Sequence, residues 1–411
     1  MASILSYIPL VNRLVAAGES AKKINIPPVE VHTIETQPEK RPRTLKHLLR
    51  ANHVNHSVIY HNLQFDNHMP HILCSAYLLG AETAQLHRIY DEESKYLEPW
   101  KDSPAEVVQD DWRDFLGDKR YQRAYLDFYE DALAIRYSYD WKWVVEEYLY
   151  GGQEPLVNCL IGGLGHPLIH LGYAFEFDNR EIAMEALVMA STQYNYLHKY
   201  FDYESYTTKP PFSSSSPLEL LEKLSKDKRF DSLFKEAGFD NIELLFDRHE
   251  QLVLEYWNAW ELTDDPVKEF RESQEAAVAL LVATVPSGAH SFNFFLCHVL
   301  TSSHAVRILL PFLPAKFHVS VVRQWWLLTL AVYIAVLRPK IDPDNISGDL
   351  NGKTWTYVED RALNSRWSAS DAHYVKAIRS MQQAARTWGD VHDRYLAAAI
   401  KFVDEFEGWV H

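Results

Sequence analysis

The sequence predicts an all-α fold, a large multi-helix bundle with an interior metal site, built as one body or as two closely packed helical lobes. Apolar residues recur at helical spacing along most of the 411 residues, and alternating strand patterns bounded by tight turns are nearly absent. Hydrophobic residues make up 47% of the chain and aromatic residues 13%, which is ample for a core and for an aromatic-walled pocket. Histidines in several apolar segments add the expectation of an interior site.

The whole chain, residues 1–411, is interpreted as a single large helical domain. It is longer than one compact core usually grows, but its composition marks no clean boundary between independent units. Residues 203–217 include Pro210-Pro211 and four consecutive serines, and they have neither periodicity nor bulk. This stretch is the candidate connector, or hinge, between two lobes.

Several helices are predicted from capping and periodicity. Ser103 and Ser216 each precede a proline and stand three residues before a glutamate, a pattern typical of helix starts. Residues 121–150 are rich in aromatics and predict a pair of helices, and residues 180–200 predict a helix that faces the core.

The second half of the chain holds its most hydrophobic part, residues 272–337, which predicts central helices. Residues 341–364 contain a proline and an Asn-Gly pair, and they predict a long irregular loop of the kind that covers a pocket. The final helix is predicted to begin near Ser368 or Ser370.

Charge excludes some partners. The formal net charge of −15 disfavours binding to nucleic acid or to an anionic membrane surface, because both would repel the chain. The basic run at residues 40–50 is too short to reverse this expectation.

Residue usage also predicts a soluble, cytoplasmic protein. Residues 1–18 are apolar but lack a basic start and include Arg13, which argues against a secretory signal. The longest apolar run, residues 325–337, is shorter than the about 20 residues that span a bilayer. Three distant cysteines form no disulfide framework and indicate a reducing compartment: Cys74, Cys159 and Cys297.

Four segments distant in sequence place histidines beside apolar residues. A single histidine of this kind is more often satisfied by a backbone carbonyl in the core. Four such segments together favour an interior metal site assembled from facing helices. The segments contain His68 and His71, His166 and His170 after a glycine-rich turn, His298 and His304, and His373 with Lys376.

The pattern excludes some metal sites and leaves the metal open, since imidazole suits iron, zinc and copper. His166 and His170 have the spacing of a zinc-protease helix, but Pro167 follows the first histidine and the motif's glutamate is missing. No histidine has a glutamate three residues before it, as a di-iron carboxylate site would require. A mononuclear, histidine-rich site is the better hypothesis.

Lys376 has two interpretations. A lysine beside a metal cation is repelled and desolvated, and it becomes a neutral amine that can capture carbon dioxide as an anionic carbamate. The simpler interpretation, which residue statistics favour, is an exposed lysine on an ordinary helix.

At these residues the sequence resembles the questin oxidase-like family, known from fungal pathways that open the central ring of anthraquinones. The resemblance extends from about residue 45 to the C-terminus. It implies a mostly helical enzyme that oxidises an aromatic polyketide with dioxygen. The motifs that carry it are Asn67-His68 with Pro70, His166 with Leu168-Ile169, His298 with Thr301, Ala305 and Arg307, and His373 with Lys376.

The resemblance also implies a ligand set for one non-haem Fe(2+). The implied ligands are four histidines and a carboxylated lysine: His68, His166, His298, His373 and Lys376. Five protein ligands leave at most one octahedral position for oxygen, unless one ligand moves. Neighbouring residues are candidates for supporting the site or lining the substrate pocket, although Arg307 is equally suited to capping a helix. They are His71, His170, His304, Arg307 and Trp325.

The leading functional hypothesis is an iron-dependent dioxygenase that cleaves a ring carbon-carbon bond of an anthraquinone-type polyketide in secondary metabolism. One alternative is a Baeyer-Villiger-type questin oxidase that uses NADPH, although no Gly-x-Gly-x-x-Gly motif supports a nucleotide site. A second is a non-catalytic helical protein that binds a hydrophobic aromatic metabolite. A third is a metal hydrolase, for which the four segments offer only Asp66 and Asp371 as nearby carboxylates.

Overall fold

The computed structural model describes residues 22–346, 348–365 and 368–411, and these residues form sixteen α-helices with very little sheet. The predicted all-α class is therefore confirmed. The first eight helices are α1 (Lys40–Asn55), α2 (Met69–Leu78), α3 (Thr83–Glu93), α4 (Gln122–Asp131), α5 (Trp141–Tyr150), α6 (Gly162–Glu176), α7 (Arg180–Thr192) and α8 (Lys199–Asp202). The others are α9 (Pro217–Ser225), α10 (Asp240–Ala259), α11 (Val267–Val282), α12 (Phe294–Leu309), α13 (His318–Ala335), α14 (Trp355–Asn364), α15 (Ala372–Trp388) and α16 (Arg394–Glu405).

Four short strands connect helices near the interior. Strands β1 (Ile59–Tyr60) and β2 (Phe65–Asp66) pair antiparallel in a hairpin that leads into α2. Strands β3 (Ser291–Asn293) and β4 (Gly408–Val410) pair in parallel. The second pair places the end of the chain beside the start of α12.

The predicted central helices are confirmed as α11, α12 and α13, whose residues are mostly buried. Helix α6 packs closely on α12 because Gly172 has no side chain where the two meet. A Cβ atom at Gly172 would lie 3.2 Å from the Cβ of Ala305. A larger residue at Gly172 would therefore push the helices apart and disturb the histidines that both carry.

The two predicted capping serines have different outcomes. Helix α9 begins at Pro217, directly after Ser216, as predicted. The predicted helix after Ser103 is wrong, since residues 101–108 have no helical turn. The Ser103 hydroxyl instead accepts a 3.0 Å hydrogen bond from the backbone N–H of Ala124, in the first turn of α4. The serine thus provides a hydrogen-bond acceptor for a backbone N–H group at the start of a helix that is distant in sequence.

The other helical predictions for the first half hold. Helices α4 and α5 form the pair predicted for residues 121–150, and α7 supplies the core-facing helix predicted within residues 180–200. The predicted connector, residues 203–217, is held to the end of α10 by backbone hydrogen bonds of Ser214 with Ala259 and Glu261. Its role as a hinge stays a prediction.

Two boundaries in the second half differ from the sequence prediction. The loop predicted over residues 341–364 ends early, because residues from Trp355 onward form α14. The final segment begins with α15 at Ala372, capped by Asp371 rather than by Ser368 or Ser370. One carboxylate oxygen of Asp371 accepts from the backbone N–H groups of both His373 and Tyr374, which satisfies two otherwise unpaired donors.

The three cysteines are free and buried, as predicted. Within the described ranges, no helix has the length and apolar character needed to cross a membrane. The expectation about residues 1–18 lies outside the described residues.

Candidate metal centre

Four imidazoles from four distant segments meet in the interior. One ring nitrogen from each lies within 4.8 Å of the corresponding nitrogen of every other. The Nε2 atoms of His68 and His166 are 2.9 Å apart, and those of His298 and His373 are 3.2 Å apart. The four histidines that the family resemblance implies as ligands therefore form one cluster.

The turn before α2 positions His68. The Asn67 side chain donates to Asn52 Oδ1 at 2.9 Å and to the Ser57 carbonyl at 3.1 Å. Its carbonyl oxygen accepts from the backbone N–H of Met69 at 2.9 Å, across His68. These bonds fix the turn that holds His68, the residue directly before the helix, beside the other histidines.

A left-handed turn positions His166. Gly163, Leu164 and Gly165 have φ angles of 54°, 58° and 81°, a conformation that glycine adopts without cost. The turn brings the Gly163 carbonyl to 2.5 Å from His166 Nδ1, which donates to it. Asp66 Oδ2 lies 3.2 Å from the same nitrogen. The Nε2 atom is left to face the cluster.

His298 and His373 approach from the other side. His298 lies in the second turn of α12, and its Nδ1 donates to the Phe294 carbonyl at 3.0 Å. His373 lies in the first turn of α15, directly after the Asp371 cap. Tying Nδ1 to a carbonyl selects the tautomer with a free Nε2, which is the form that binds a metal.

The electrostatics favour neutral imidazoles. Burial lowers the pKa of His68, His166, His298 and His373, and the charge of Lys376 lowers all four pKa values further. A neutral imidazole offers a nitrogen lone pair to a cation.

Lys376 lies one turn after His373 on α15 and is completely buried. Its Nζ has no hydrogen-bond partner in the described structure. Burial lowers the pKa of Lys376 to about 8. The prediction of an exposed lysine, which residue statistics favoured, is therefore wrong, because this amine is buried and close enough to the four imidazoles to lower their pKa values.

The donor set fits a transition-metal ion. Around an octahedral ion with metal-nitrogen bonds of about 2.1 Å, adjacent ligand atoms lie about 3.0 Å apart and opposite ones about 4.2 Å apart. The measured separations of 2.9 and 3.2 Å match adjacent positions. Four neutral imidazoles and one unpartnered buried amine thus suit iron, zinc or copper.

The five predicted pocket residues lie elsewhere, and none of them lines the large cavity beside the histidines. His71 Nε2 and His170 Nδ1 are hydrogen-bonded to each other at 3.0 Å. Arg307 donates to Thr387, and Trp325 donates to the Val299 carbonyl. His304 is buried and has no hydrogen-bond partner for either ring nitrogen among the described residues. Their assignment to the substrate pocket stays an untested prediction that this placement does not favour.

A cavity of about 770 Å³ opens directly onto the cluster, with His68 and His373 in its wall. This volume lies in the range that holds drug-sized ligands. Three flat side chains line it beside the two histidines: Tyr60, Phe294 and Trp409. The Phe294 ring centroid lies 4.4 Å from that of His373, so an aromatic wall directly adjoins the cluster.

The cavity also contains charged groups. Arg88, Glu92, Glu93 and Asp371 line it. Burial and the nearby Asp371 carboxylate raise the pKa of Glu93 to about 7. Glu93 can therefore hold or release a proton near neutral pH, while Arg88 can face an anionic group.

Sequence reasoning missed Arg88, Glu93 and Trp409 as residues that line the cavity. Arg88 and Glu93 belong to α3, which carries no histidine ligand and shows an ordinary amphipathic pattern. Trp409 reaches the site only because β4 pairs with β3. No local signal marks these residues, since their role depends on long-range packing.

Fold and site together define an all-helical protein with a buried four-histidine centre and an adjoining aromatic cavity. The model of the questin oxidase-like family matches residues 65–381, and the chain belongs to that family. Its relatives are named oxidases, and the chain is accordingly an oxidoreductase.

Three relatives illustrate the match. A Baeyer-Villiger oxidase of Pestalotiopsis microspora is 23% identical over 361 residues, which cover 82% of this chain and 79% of the relative. A questin oxidase of Aspergillus terreus is 27% identical over 207 residues, covering 47% of this chain and 45% of the relative. An oxidoreductase of Aspergillus parasiticus is 24% identical over 353 residues, covering 78% and 68%.

Proposed function

We propose that this chain is a non-haem iron dioxygenase that cleaves a ring carbon-carbon bond of an anthraquinone-type polyketide in secondary metabolism. The observation that carries the proposal is the convergence of four neutral imidazoles and the buried Lys376 beside an aromatic-walled cavity. The relatives named questin oxidase supply the substrate class.

In this proposal His68, His166, His298 and His373 hold one Fe(2+), and Lys376 completes the set as a carbamate. The carbamate's negative charge would offset part of the ion's charge in a site where the four other ligands are neutral. When bound, ferrous iron supplies the electrons that activate dioxygen for attack on an electron-rich ring.

The chain's own residues bind and orient the substrate. Tyr60, Phe294 and Trp409 present flat surfaces on which a fused aromatic system can stack. Arg88 can pair with a phenolate, and Glu93 can accept the phenolic proton because its pKa is near 7. A substrate that fills the cavity also excludes water from the histidine cluster.

Metal analysis and an oxygen electrode test this function. Purified chain should carry about one iron per molecule and consume dioxygen with a hydroxyanthraquinone. His298→Ala and Lys376→Ala should lose both iron and turnover while the helical circular dichroism persists. His304→Ala, on the same helix as His298, is the matched control and should keep its iron. Active wild-type protein without a transition metal would refute the iron mechanism.

Lysine carboxylation has its own measurement. Protein equilibrated with ¹³C-labelled bicarbonate should show a carbamate resonance that is missing from Lys376→Ala. A wild-type spectrum without that resonance at full iron loading would leave Lys376 as an amine ligand and exclude the carbamate.

The second candidate is a Baeyer-Villiger oxidase, the activity that the names of several relatives give. In this candidate NADPH is the reductant. The two candidates differ in their need for NADPH and in the fate of oxygen. Turnover without NADPH, with both atoms of ¹⁸O₂ in the product, supports the dioxygenase. One labelled atom in the product and one NADPH consumed per turnover support the Baeyer-Villiger reaction.

A further inference from the structure

A chain of hydrogen bonds begins at His71, whose ring contacts the His68 ring of the cluster, and none of its members lines the cavity. His71 Nε2 and His170 Nδ1 are 3.0 Å apart, and His170 Nε2 lies 2.8 Å from Glu185 Oε2. Glu185 Oε1 lies 2.8 Å from His53 Nδ1, and His53 Nε2 lies 2.8 Å from Glu130 Oε1. Five side chains from five helices therefore form four consecutive hydrogen bonds.

The chain leads from the interior to solvent. His71 and His170 are completely buried, and the side chains of Glu185 and His53 are 3% and 8% exposed. The Glu130 side chain at the other end is 43% exposed. At the inner end, the His71 ring meets the His68 ring edge-on at 5.3 Å between centroids, and its Nδ1 has no partner in the described structure.

We propose that His71, His170, Glu185, His53 and Glu130 form a proton path between the metal centre and solvent. The proposal rests on the function proposed above, because oxidation of a phenol by dioxygen moves protons as well as electrons. A planar substrate in the cavity would block the other route to water. The path would let protons cross while the substrate stays in place.

Each member of the path can take a proton on one atom and give one from another. In one arrangement His71 donates to His170, His170 donates to Glu185, and His53 donates from both nitrogens to Glu185 and Glu130. A proton that reaches His71 Nδ1 shifts the His71 Nε2 proton to His170 and the His170 Nε2 proton to Glu185. His53 then releases its Nε2 proton to Glu130 and on to solvent.

The same steps in reverse bring one proton back from solvent. Glu130 returns a proton to His53 Nε2, Glu185 returns its proton to His170, His170 protonates His71 Nε2, and His71 Nδ1 releases its proton at the centre. One outward and one inward transfer restore the starting arrangement. This balance suits a reaction that releases one proton at the metal centre and later takes one up there.

A variant that keeps the shape but blocks the transfer tests the path. Glu185→Gln preserves the size of the side chain, but an amide cannot exchange a proton between its two ends. Glu181→Gln is the matched control, since Glu181 lies one turn earlier on α7 and pairs with Arg50 and Arg180 outside the path. His53→Gln interrupts the path nearer the surface.

The first measurement does not depend on activity. Full-length protein with ¹⁵N-labelled histidine, without added metal, is transferred to D₂O, and exchange of the His170 and His71 ring protons is followed by NMR. We expect exchange about tenfold or more slower in Glu185→Gln and His53→Gln than in wild type or Glu181→Gln. If Glu185→Gln does not fold, His53→Gln and Glu130→Gln carry the test. Equal exchange rates in path and control variants would overturn the path.

The second measurement uses turnover. Glu185→Gln should lower kcat by about 10²-fold and raise the solvent deuterium isotope effect, while KM and iron content stay at wild-type values. Unchanged kcat, or a loss of iron that accounts for the lost turnover, would overturn the path. A wild-type protein that oxidises no hydroxyanthraquinone refutes the proposed function instead, and the exchange measurement then decides the path by itself.

Discussion

His166 and His170 stand one turn apart on α6, and His68, the residue directly before α2, stands one turn before His71. The members of each pair lie in different environments. His68 and His166 face other imidazoles in the cluster, and burial together with the charge of Lys376 lowers their pKa values. His71 and His170 do not line the cavity; they are hydrogen-bonded to each other, and His170 also bonds to the buried carboxylate of Glu185. The comparison shows that one helical turn separates the four-histidine cluster from a hydrogen-bonded chain.

The carboxylates account for the difference. Glu185 and Glu130 flank His53 and raise its pKa to about 10 despite its burial. Burial alone would raise the pKa of Glu185, but His170 and His53 together lower it to about 2. In the described structure two carboxylates lie within ion-pair distance of the cluster, Asp66 at 3.2 Å from His166 Nδ1 and Asp371 at 3.9 Å from His373 Nδ1. Neither of them bridges two histidines as Glu185 does. The cluster thus favours a cation, whereas the chain stabilises protons.

Alanine variants of His68 and His71 test this comparison most directly. His68→Ala should lower iron affinity by more than the about 10- to 100-fold that follows from losing a hydrogen-bond partner behind a ligand. His71→Ala should keep its iron, because His71 faces His170. Iron content after anaerobic reconstitution measures both variants. If His71→Ala empties the site and His68→Ala does not, the roles assigned to His68 and His71 are reversed.

A second buried carboxylate tests whether the histidine partners of Glu185 matter. Glu176 pairs at 2.7 Å with Arg379, and the side chains are 1% and 3% exposed. An arginine does not release its proton, so this pair can stabilise the fold but cannot relay protons. Arg379→Met should cost about 3 to 5 kcal/mol of unfolding free energy by leaving the buried carboxylate without its partner.

The control for Arg379→Met is Arg123→Met, which removes the exposed pair with Asp127 on α4. Its expected cost is below about 1 kcal/mol. Urea unfolding measures both. If Arg379→Met also slows exchange of the His170 ring proton, the two buried networks are coupled and the comparison drawn here is too simple.

The raised pKa of His53 predicts a pH dependence of stability. Below the unfolded-state value of 6.5 both folded and unfolded His53 are protonated, so its full stabilisation is present. As the pH rises toward 10, the unfolded chain releases the proton and the folded chain keeps it. The unfolding free energy should therefore fall between these values, by at most about 1.4 kcal/mol per pH unit from this group.

Comparing wild type with His53→Gln by urea unfolding from pH 6 to pH 10 isolates this contribution. The variant should lack the decline that His53 causes, and the two curves should converge at high pH. Parallel curves would show that His53 is not held in its charged form.

Much of the site was predictable because the chemistry is concentrated in four short motifs. His68, His166, His298 and His373 each stand beside apolar residues, so the chain has to bury them and provide partners. Spacing alone did not decide between His68 and His71, since residues three apart share a helix face. Only the turn fixed by Asn67, which lies outside helical periodicity, turns the first of them toward the cluster.

Glu185 was missed although the sequence carries a signal. It is the only charged residue between Ile182 and Ala190, in an otherwise apolar stretch of α7. A lone carboxylate on a buried helix requires a partner. The partner, His53, lies 132 residues earlier, and only the packing of α1 against α7 identifies it. The helix predicted to begin after Ser103 was wrong for a similar reason. The Ser103 hydroxyl bonds to α4, a helix that is distant in sequence.

The smallest expected effect concerns how α15 is held. Asp371 caps this helix with one oxygen, and its other oxygen accepts a 2.8 Å hydrogen bond from Trp409 Nε1. Trp409→Phe removes that bond but leaves the cap and an aromatic ring in the cavity wall. We expect a loss of about 1 kcal/mol in unfolding free energy. Iron content should not change, because His373 and Lys376 keep their backbone positions.

Asp371→Ala provides the matched comparison, since it removes the cap as well and should cost about 1 kcal/mol more. Thermal unfolding and iron content together separate the two contributions. If Trp409→Phe already releases iron, then the pairing of β4 with β3 helps to hold the ligands in place. The metal centre would then depend on the end of the chain as much as on the helices that carry its histidines.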